Sequence, residues 1–355
     1  MKIIISAGGT GGHIFPALAV INKIKEKDKK AEFLYIGTHN RMEKDLIPQK
    51  NIPYLSLETY GLKRNKIFKN IKTFYCLFKA YLKSKKIIRE FKPDVIIGLG
   101  GYVTLPVIYA GHKLKVKTII HEQNNVLGKT NQFLAKYADI LAISFPNTQG
   151  IEKFKSKTVY TGNPSSEEAL KVKKFDKTKL GFTKEKKLII FVMGSLGSYQ
   201  INQQMKKIIP SLKKQPYEVL FVTGHNYYSE YEKLQSKNIK IVPFIDNLTA
   251  LMKSSDLIVS RAGATIISEI TALSIPSILI PSVHVTDNHQ FKNAQALIKE
   301  KAAYLLEEND FNEKKLISLI NKVLADEPKL KELKKALIKF QIKDSAQKIY
   351  DLIKK

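Results

Sequence analysis

Short apolar runs rich in Ile and Val recur along the first half of the chain, at Lys2–Ala7, Glu32–Ile36, Val95–Gly98, Lys117–His121 and Ile140–Ile143. They are too short for helices and lack the polar alternation of a half-exposed strand, which is how strands buried on both faces of a parallel sheet read. The stretches between them carry apolar residues at helical spacing, as with Phe15, Leu18, Ile21 and Ile24, so each strand is followed by a crossover helix. A second series starts near residue 187, with strands predicted at Leu188–Met193, Val219–Thr223, Ile239–Val242, Leu257–Ser260 and Ser277–Ile280. The pattern predicts an α/β protein of two Rossmann-like, doubly wound domains facing a cleft. Tyr160-Thr161-Gly162-Asn163-Pro164, a strand end running into turn residues ahead of a charged stretch, is the expected linker. The domains are expected at residues 1–161 and 162–340. Residues 341–355, with Ile349, Leu352 and Ile353 on one face, form a terminal helix expected to pack back on the first domain.

With 355 residues, 44% hydrophobic and 26% charged, the chain can bury two cores, and disorder or a fibrous repeat is excluded as a description of the whole. Lys and Arg number 60 against 32 Asp and Glu, a net charge of +28, which attracts nucleic acid, anionic lipid or phosphorylated substrates. Only Arg41, Arg64, Arg89 and Arg261 are arginines, so base readout is poorly served and no nucleic-acid partner is expected. The single cysteine, Cys76, excludes an internal disulfide and a Cys-based zinc cluster, and suits a reducing compartment. The apolar start gives way to glycines after Ala7, far short of the ~20 apolar residues of a membrane span. Neither a signal peptide nor a transmembrane helix is expected.

Directly after the first strand, Gly8-Gly9-Thr10-Gly11-Gly12-His13 opens a helix, the arrangement that presents backbone N–H groups to a phosphate. A tight βα turn is the plainer alternative. The loop is neither a dinucleotide fingerprint, since Ile14 stands where the third glycine is needed, nor a Walker A loop, so NAD and ATP lose support. Similar turns recur at Gly98-Leu99-Gly100-Gly101-Tyr102 and Gly194-Ser195-Leu196-Gly197-Ser198. Glycine loops on both halves point to a phosphorylated ligand at the carboxyl ends of the strands.

Polar residues cluster at the same strand ends. His121-Glu122-Gln123-Asn124-Asn125 follows one strand, and Ser260-Arg261-Ala262-Gly263-Ala264-Thr265-Ile266-Ile267-Ser268-Glu269 carries a glycine turn into a helix suited to a diphosphate, with Glu269 placed for ribose hydroxyls or merely on the helix surface. His284, Asp287, Asn288, His289, Gln290 and Asn293 suit a sugar, or form a polar loop feeding a capped helix. His13 has no second ligand at metal spacing; its ordinary pKa suits a general base beside the glycine loop, and a helix-start cap is the alternative. From Ile67 to Leu82, Ile67, Ile71, Phe74, Tyr75, Phe78, Tyr81 and Leu82 share one helical arc, opposite Lys69, Lys72, Lys79 and Lys83, with Lys63, Arg64, Lys66, Lys85, Lys86 and Arg89 flanking. Such a helix either packs its arc on its own sheet or meets an anionic bilayer.

Taken in order, Gly8–His13, Gly98–Tyr102, His121–Asn124, Gly162-Asn163-Pro164, Phe244-Ile245-Asp246 and Arg261–Glu269 resemble the MurG family of N-acetylglucosaminyltransferases of peptidoglycan synthesis, from residue 2 to about residue 305. The resemblance implies the GT-B fold and inverting transfer of GlcNAc from UDP-GlcNAc to the C4 hydroxyl of MurNAc in undecaprenyl-diphosphate-MurNAc-pentapeptide, lipid I becoming lipid II. It implies an acceptor- and membrane-associating first domain and a donor-binding second one. Ile245 would then lie at the uracil, Ser195 and Ala264, Thr265, Ile266, Ile267 and Ser268 at the diphosphate with Arg261 beside them, Glu269 at the ribose, and His289 and Gln290 at the sugar. Thr10, Gly11, Gly12 and Asn124 match positions assigned to the UDP-GlcNAc site, while His13 and Glu122 would activate or orient the acceptor as the catalytic pair. No cofactor or metal is implied, so transfer is expected to survive a chelator. The implied location is peripheral, at the cytoplasmic face of the cell membrane, with an anionic membrane surface and cell-wall synthesis proteins as partners.

The chain departs from the family pattern in places. Ser165-Ser166 stands where an Arg usually helps bind the donor, Leu196 replaces a Gln, Thr104-Leu105 replaces Ser-Gly, and His289 stands where Gln is common. Rival readings are another GT-B enzyme, such as a diacylglycerol glycosyltransferase or a UDP-GlcNAc epimerase, and a non-catalytic polyanion-binding protein whose binding would fall steeply with salt.

Overall fold

The computed structural model describes residues 1–61, 67–194 and 197–355, with residues 67–69 described by backbone alone. The chain divides into two compact units, residues 1–167 with 344–355, and residues 168–343. In the first, β1 (Lys2–Ser6), β2 (Glu32–Thr38), β3 (Tyr54–Leu57), β4 (Val95–Gly98), β5 (Lys117–Glu122), β6 (Ile140–Ile143) and β7 (Thr158–Tyr160) form one sheet in the order β3-β2-β1-β4-β5-β6-β7. In the second, β8 (Leu188–Val192), β9 (Glu218–Val222), β10 (Ile239–Val242), β11 (Leu257–Ser260), β12 (Ser277–Leu279) and β13 (Tyr304–Leu305) take the order β10-β9-β8-β11-β12-β13. All pairings between these strands are parallel.

Ile and Val dominate the central strands because both faces are covered: Ile3, Ile4, Ile5, Ile96 and Ile97 are wholly buried, as are Ile189, Ile190 and Phe191. The covering helices of the first unit are α1 (Gly11–Lys27), α2 (Glu43–Leu46), α3 (Ile67–Phe91), α4 (Thr104–Lys113) and α5 (Lys129–Leu134). The chain leaves that unit within α6 (Ser165–Lys171). The second unit carries α7 (Tyr199–Leu212), α8 (Leu248–Met252), α9 (Ala264–Leu273), α10 (His289–Lys299), α11 (Glu313–Ala325) and α12 (Glu327–Ile338). Then α13 (Ser345–Lys354) returns to the first, inserting Ile349, Leu352 and Ile353 into the core formed by Ile3, Ile5, Val20, Ile21 and Ile24.

The sheet order fixes where chemistry can occur. In each sheet the strand order reverses beside the first strand, between β1 and β4 and between β8 and β11, and the loops leaving these carboxyl ends meet at the switch point. All three glycine loops leave such ends.

The sequence places the linker at residues 160–164, whereas the structure keeps that segment inside the first unit. Thr161, Asn163, Ser165 and Ser166 are buried. Gly162 O accepts from His121 Nε2 at 3.0 Å, and Ser166 Oγ lies 2.9 Å from Ser345 Oγ of α13. Glu167 pairs with the buried Lys23 of α1 at 2.5 Å, so six further residues stay anchored before the chain crosses over.

The long helix α3 also differs from the packing alternative. Its buried stripe is Thr73, Cys76, Ala80, Ser84, Ile87 and Ile88, largely small or polar residues, and it packs against α4 with Tyr81 and Tyr109 rings 5.6 Å apart. Ile71, Phe74, Tyr75, Phe78 and Leu82 point outward, 48–62% exposed. Lys63, Arg64 and Lys66 lie outside the described residues.

Candidate functional site

At the first switch point the two glycine loops lock together. Gly8 N–H donates to Gly100 O at 3.2 Å and Leu99 N–H to Ser6 O at 2.8 Å. Gly100 and Gly101 have φ of +110° and +88°, and a Cβ on Gly101 would overlap Gly8 O, so only glycine allows this approach. The His13 ring lies against Gly100 and its Nδ1 donates to Gly8 O at 2.9 Å. Because a carbonyl only accepts, Nδ1 carries the proton in the neutral ring and Nε2 is the basic nitrogen. Thr10 is exposed at the loop tip, Gly11 is buried and Gly12 half-buried at the start of α1.

The cradle differs from the expectation at one point. Gly9 N–H is directed to the carboxylate of Glu43, at 3.3 and 3.2 Å, and so serves an internal anion.

A third loop braces the site. Gln123 Nε2 donates to Leu99 O at 2.7 Å. Glu122, almost wholly buried, accepts at Oε1 from the backbone and side-chain N–H groups of Asn124, both at 3.0 Å. Its Oε2 accepts from Gly128 N–H and Asn131 Nδ2, both at 2.9 Å. With two donors on each oxygen, Glu122 is not an open base; it holds Asn124 and the loop in place, which corrects its placement in a catalytic pair. His121 is buried too, and burial pushes its imidazole down to about 4, so it stays neutral while bonding Gly162 O.

In the second unit, Gly194 and Gly197 have φ of +89° and +74°, and a Cβ on Gly197 would overlap Thr223 O, which forces the loop close to β9 before α7 begins. Ser195 lies outside the described residues. After β11, α9 starts at Ala264 with extended Gly263 as its N-cap, which places the helix N-terminus at the carboxyl end of that strand. Ala264 and Ile267 are buried; Thr265, Ile266 and Ser268 are half-buried, and Ser268 Oγ donates to Thr265 O at 2.7 Å.

Arg261, expected near phosphate, is otherwise engaged. Nη2 contacts Glu308 Oε1 at 2.5 Å and Ser198 Oγ at 2.7 Å, while Nη1 donates to Ile280 O at 3.2 Å. Only 8% exposed, it ties the β8, β11 and β12 ends together rather than offering its charge to a ligand.

Glu269 is enclosed at its carboxyl beside Thr249 of α8; burial pushes it up to about 7, partly offset by the Thr249 hydrogen bond. Ile245 is half-buried just beyond β10, next to Phe244, whose ring stacks on His225 at 5.6 Å. His289 and Gln290 open α10 after a turn in which Asp287 and Asn288 hold left-handed φ of 53° and 50°. His289 Nδ1 donates to Thr286 O at 2.8 Å, and Gln290 Oε1 accepts from Ser282 N–H at 2.8 Å. Among the described residues no three-residue His, Cys, Asp and Glu group could hold a metal ion.

The chain is matched over its full length by known proteins. Residues 3–143 match the glycosyltransferase family 28 N-terminal domain and residues 188–349 its C-terminal domain. A relative from Halalkalibacterium halodurans is 41% identical over 360 residues, covering 100% of this chain and 99% of its own. One from Bacillus subtilis is 42% identical over 360 residues, covering 99% of both. Both are named UDP-N-acetylglucosamine--N-acetylmuramyl-(pentapeptide) pyrophosphoryl-undecaprenol N-acetylglucosamine transferase. The chain belongs to the MurG family of family 28 glycosyltransferases.

The crystal structure of Acinetobacter baumannii MurG superposes with a TM-score of 0.78 at 26% identity, covering 99% of both chains. A Staphylococcus aureus MnaA–UDP structure, at 15% identity and a TM-score of 0.73, shares the fold. The two sheets, the alternating helices and this likeness establish the GT-B fold for the MurG-family chain. In the first unit Thr10, Gly11, Gly12 and His13 follow β1 at the switch point, while Asn124 lies on the loop after β5 that Gln123 ties to Leu99; in the second Arg261 and the α9 start follow β11, while Ile245 follows β10 and His289 and Gln290 open α10. Sequence reading missed Glu43 and Glu308, both acids in short surface-like segments whose partners, Gly9 and Arg261, lie 34 and 47 residues away. No local spacing signals such pairs.

Proposed function

We infer that this chain transfers GlcNAc from UDP-GlcNAc to the C4 hydroxyl of MurNAc in undecaprenyl-diphosphate-MurNAc-pentapeptide, converting lipid I to lipid II with inversion. The end-to-end kinship with transferases of that name carries the reading. The geometry supports the roles. His13, with Nε2 as its basic nitrogen, takes the proton of the C4 hydroxyl as that oxygen attacks the anomeric carbon. The bond from that carbon to the β-phosphate oxygen breaks, and UDP leaves with the bonding pair. N–H groups at the starts of α7 and α9, together with Ser195 and the Ala264–Ser268 turn, stabilise the diphosphate's charge. Ile245 abuts uracil, Glu269 the ribose, and His289 and Gln290 the sugar; Thr10, Gly11, Gly12 and Asn124 line the site, Glu122 and Arg261 acting as braces. Ser166, at the place of the family's usual Arg, is buried and bonded to Ser345 and Asn163, so it makes no such donor contact.

The test is transfer of labelled GlcNAc to a lipid I analogue with diacylglycerol as competing acceptor and a chelator present. Labelled disaccharide-lipid is expected at undiminished rate. Label on diacylglycerol alone, or none, overturns the acceptor assignment, and a rate restored only by a metal overturns metal independence.

The outward face of α3 supports a further part of this reading: peripheral attachment at the cytoplasmic face of an anionic membrane. No described helix is long and apolar enough to cross a bilayer, whereas Phe74, Tyr75 and Phe78 stand exposed beside Lys72, Lys79 and Lys83. Aromatic rings enter the acyl boundary while lysines meet anionic headgroups. Replacing Phe74 and Phe78 together with Ser is expected to weaken binding to phosphatidylglycerol vesicles at least about ten-fold, from the apolar area removed. Unchanged binding in a sedimentation assay would discard this face as the contact.

A further inference from the structure

The peptide group joining Gly8 to Gly9 is held at both ends. Its carbonyl oxygen accepts from His13 Nδ1 at 2.9 Å, and its N–H donates to both carboxylate oxygens of Glu43 at 3.3 and 3.2 Å. Glu43 is wholly buried at the start of α2, and its Oε1 also accepts from Thr38 N–H at 3.0 Å and the Thr38 hydroxyl at 2.6 Å. Its space exists because two neighbours lack side chains: a Cβ on Gly8 would overlap Oε1, and one on Gly37 would lie 2.8 Å from Cγ.

No cation pairs with this carboxylate among the described residues. The ionisable groups named around it are Tyr35 and Tyr54, phenols that burial keeps protonated, and Asp45 of the same helix acts on Tyr54. A buried carboxylate served only by N–H and O–H donors is costly, and the Gly8–Gly9 peptide is one of the groups that offset its charge, beside the Thr38 N–H and hydroxyl. A carboxylate drawing on the N–H of a peptide polarises the carbonyl at the other side of the same bond, and hydrogen bonds in such a chain strengthen one another by about 10–30% each. The sequence of groups is imidazole Nδ1–H, Gly8 carbonyl, Gly9 N–H, Glu43 carboxylate.

We propose that Glu43 is a positioning residue that acts through the Gly8–Gly9 peptide on His13, strengthening the Gly8 carbonyl contact that holds the ring in its Nδ1–H form and stabilising the imidazolium formed at proton transfer. It is a carboxylate-backed imidazole with one peptide group interposed. The proposal rests on the reading of His13 as the base, but its first test does not. In the full-length chain labelled with 15N-histidine, the His13 ring is expected as the Nδ1–H tautomer, and a dominant Nε2–H tautomer in the unmodified protein overturns the relay even if variants fail to fold.

Glu43→Gln is the discriminating variant. With Gln Oε1 kept by the two Thr38 donors, its NH2 group replaces the nearer of the two acceptors of Gly9 N–H and the carboxylate's charge is gone, so the relay is weakened while the volume is conserved. The ring is expected to keep its Nδ1–H tautomer, which Gly8 O dictates, but to lose the carboxylate's support of the imidazolium, so that kcat falls about ten-fold, as for outer partners of functional imidazoles, and the acid limb of the kcat–pH profile moves, with KM for UDP-GlcNAc unchanged. In a His13→Ala background the same substitution is expected to cost nothing further. An equal loss in that background, or an unmoved acid limb of the kcat–pH profile in Glu43→Gln, overturns the proposal. Full turnover in His13→Ala alone overturns the base reading, and the tautomer measurement then decides the relay separately.

Discussion

Replacing His13 with alanine is expected to lower kcat about 10²–10⁴-fold, the range supplied by a positioned general base, while leaving the affinity for UDP-GlcNAc close to that of the parent protein. The reasoning is local. His13 begins the second residue pair of α1, its Nδ1 is committed to Gly8 O at 2.9 Å, and its ring packs on Gly100, whose φ of +110° admits no side chain there. That leaves Nε2 as the basic nitrogen at the glycine loop of the first unit, whereas the residues proposed for the uracil, diphosphate and ribose belong to the second. Single-turnover transfer and equilibrium binding of UDP-GlcNAc, measured on the same variant, separate the two quantities. A variant that keeps its turnover but loses donor binding would reverse the roles given to the two units.

The second large effect concerns pH. Burial raises the Glu269 carboxyl to about 7, so in the free protein it is mostly protonated below that value and mostly ionised above it. Ribose hydroxyls donate to the ionised form, and their binding therefore favours loss of the proton. UDP-GlcNAc affinity is then expected to improve as pH rises from 6 toward 8 and to level off above it, by as much as about ten-fold per pH unit on the acid side. The sign follows from the raised value: the group is short of charge, not of protons, at neutral pH. Calorimetry in buffers of different ionisation enthalpy should detect a proton released on binding at pH 6.5. Glu269→Gln should bind more weakly at pH 8 and show a flat profile. A profile that keeps its slope in that variant assigns the titration elsewhere and removes Glu269 from the ribose.

The central strands of both sheets and the glycine loops that follow them were legible in the sequence because burial on both faces writes an unbroken apolar run. The edge strand β3 was not. Tyr54, Leu55 and Ser56 are all partly or wholly exposed and only Leu57 is buried, so Tyr54–Leu57 offers no run to detect, and β13 has only two residues. The face of α3 left two readings in the sequence, and burial separates them: its apolar residues Ile71, Phe74, Tyr75, Phe78 and Leu82 are exposed, while small residues such as Ala80 and Ser84 form the buried stripe that lets the helix lie close to its neighbours. Motif reading located the residues at the loop tips but not the acids behind them. Glu43 and Glu308 act through the backbone and through Arg261 across long sequence separations, and their importance comes from burial, which no spacing records. Conversely, Glu122 and Arg261 looked reactive by type, whereas the structure engages both in internal hydrogen bonds.

The return of α13 to the first unit has a consequence for how the protein is made. A ribosome emits residues 1–167 before residues 168–343, yet the core around Ile21 and Ile24 stays without Ile349, Leu352 and Ile353 until residue 353 has emerged. The second unit, continuous from residue 168 to residue 343, has all its strands and helices available earlier. Of the two units, the one whose residues emerge first is therefore the one completed last, and the core positions of α13 are filled by a helix synthesised after the other unit.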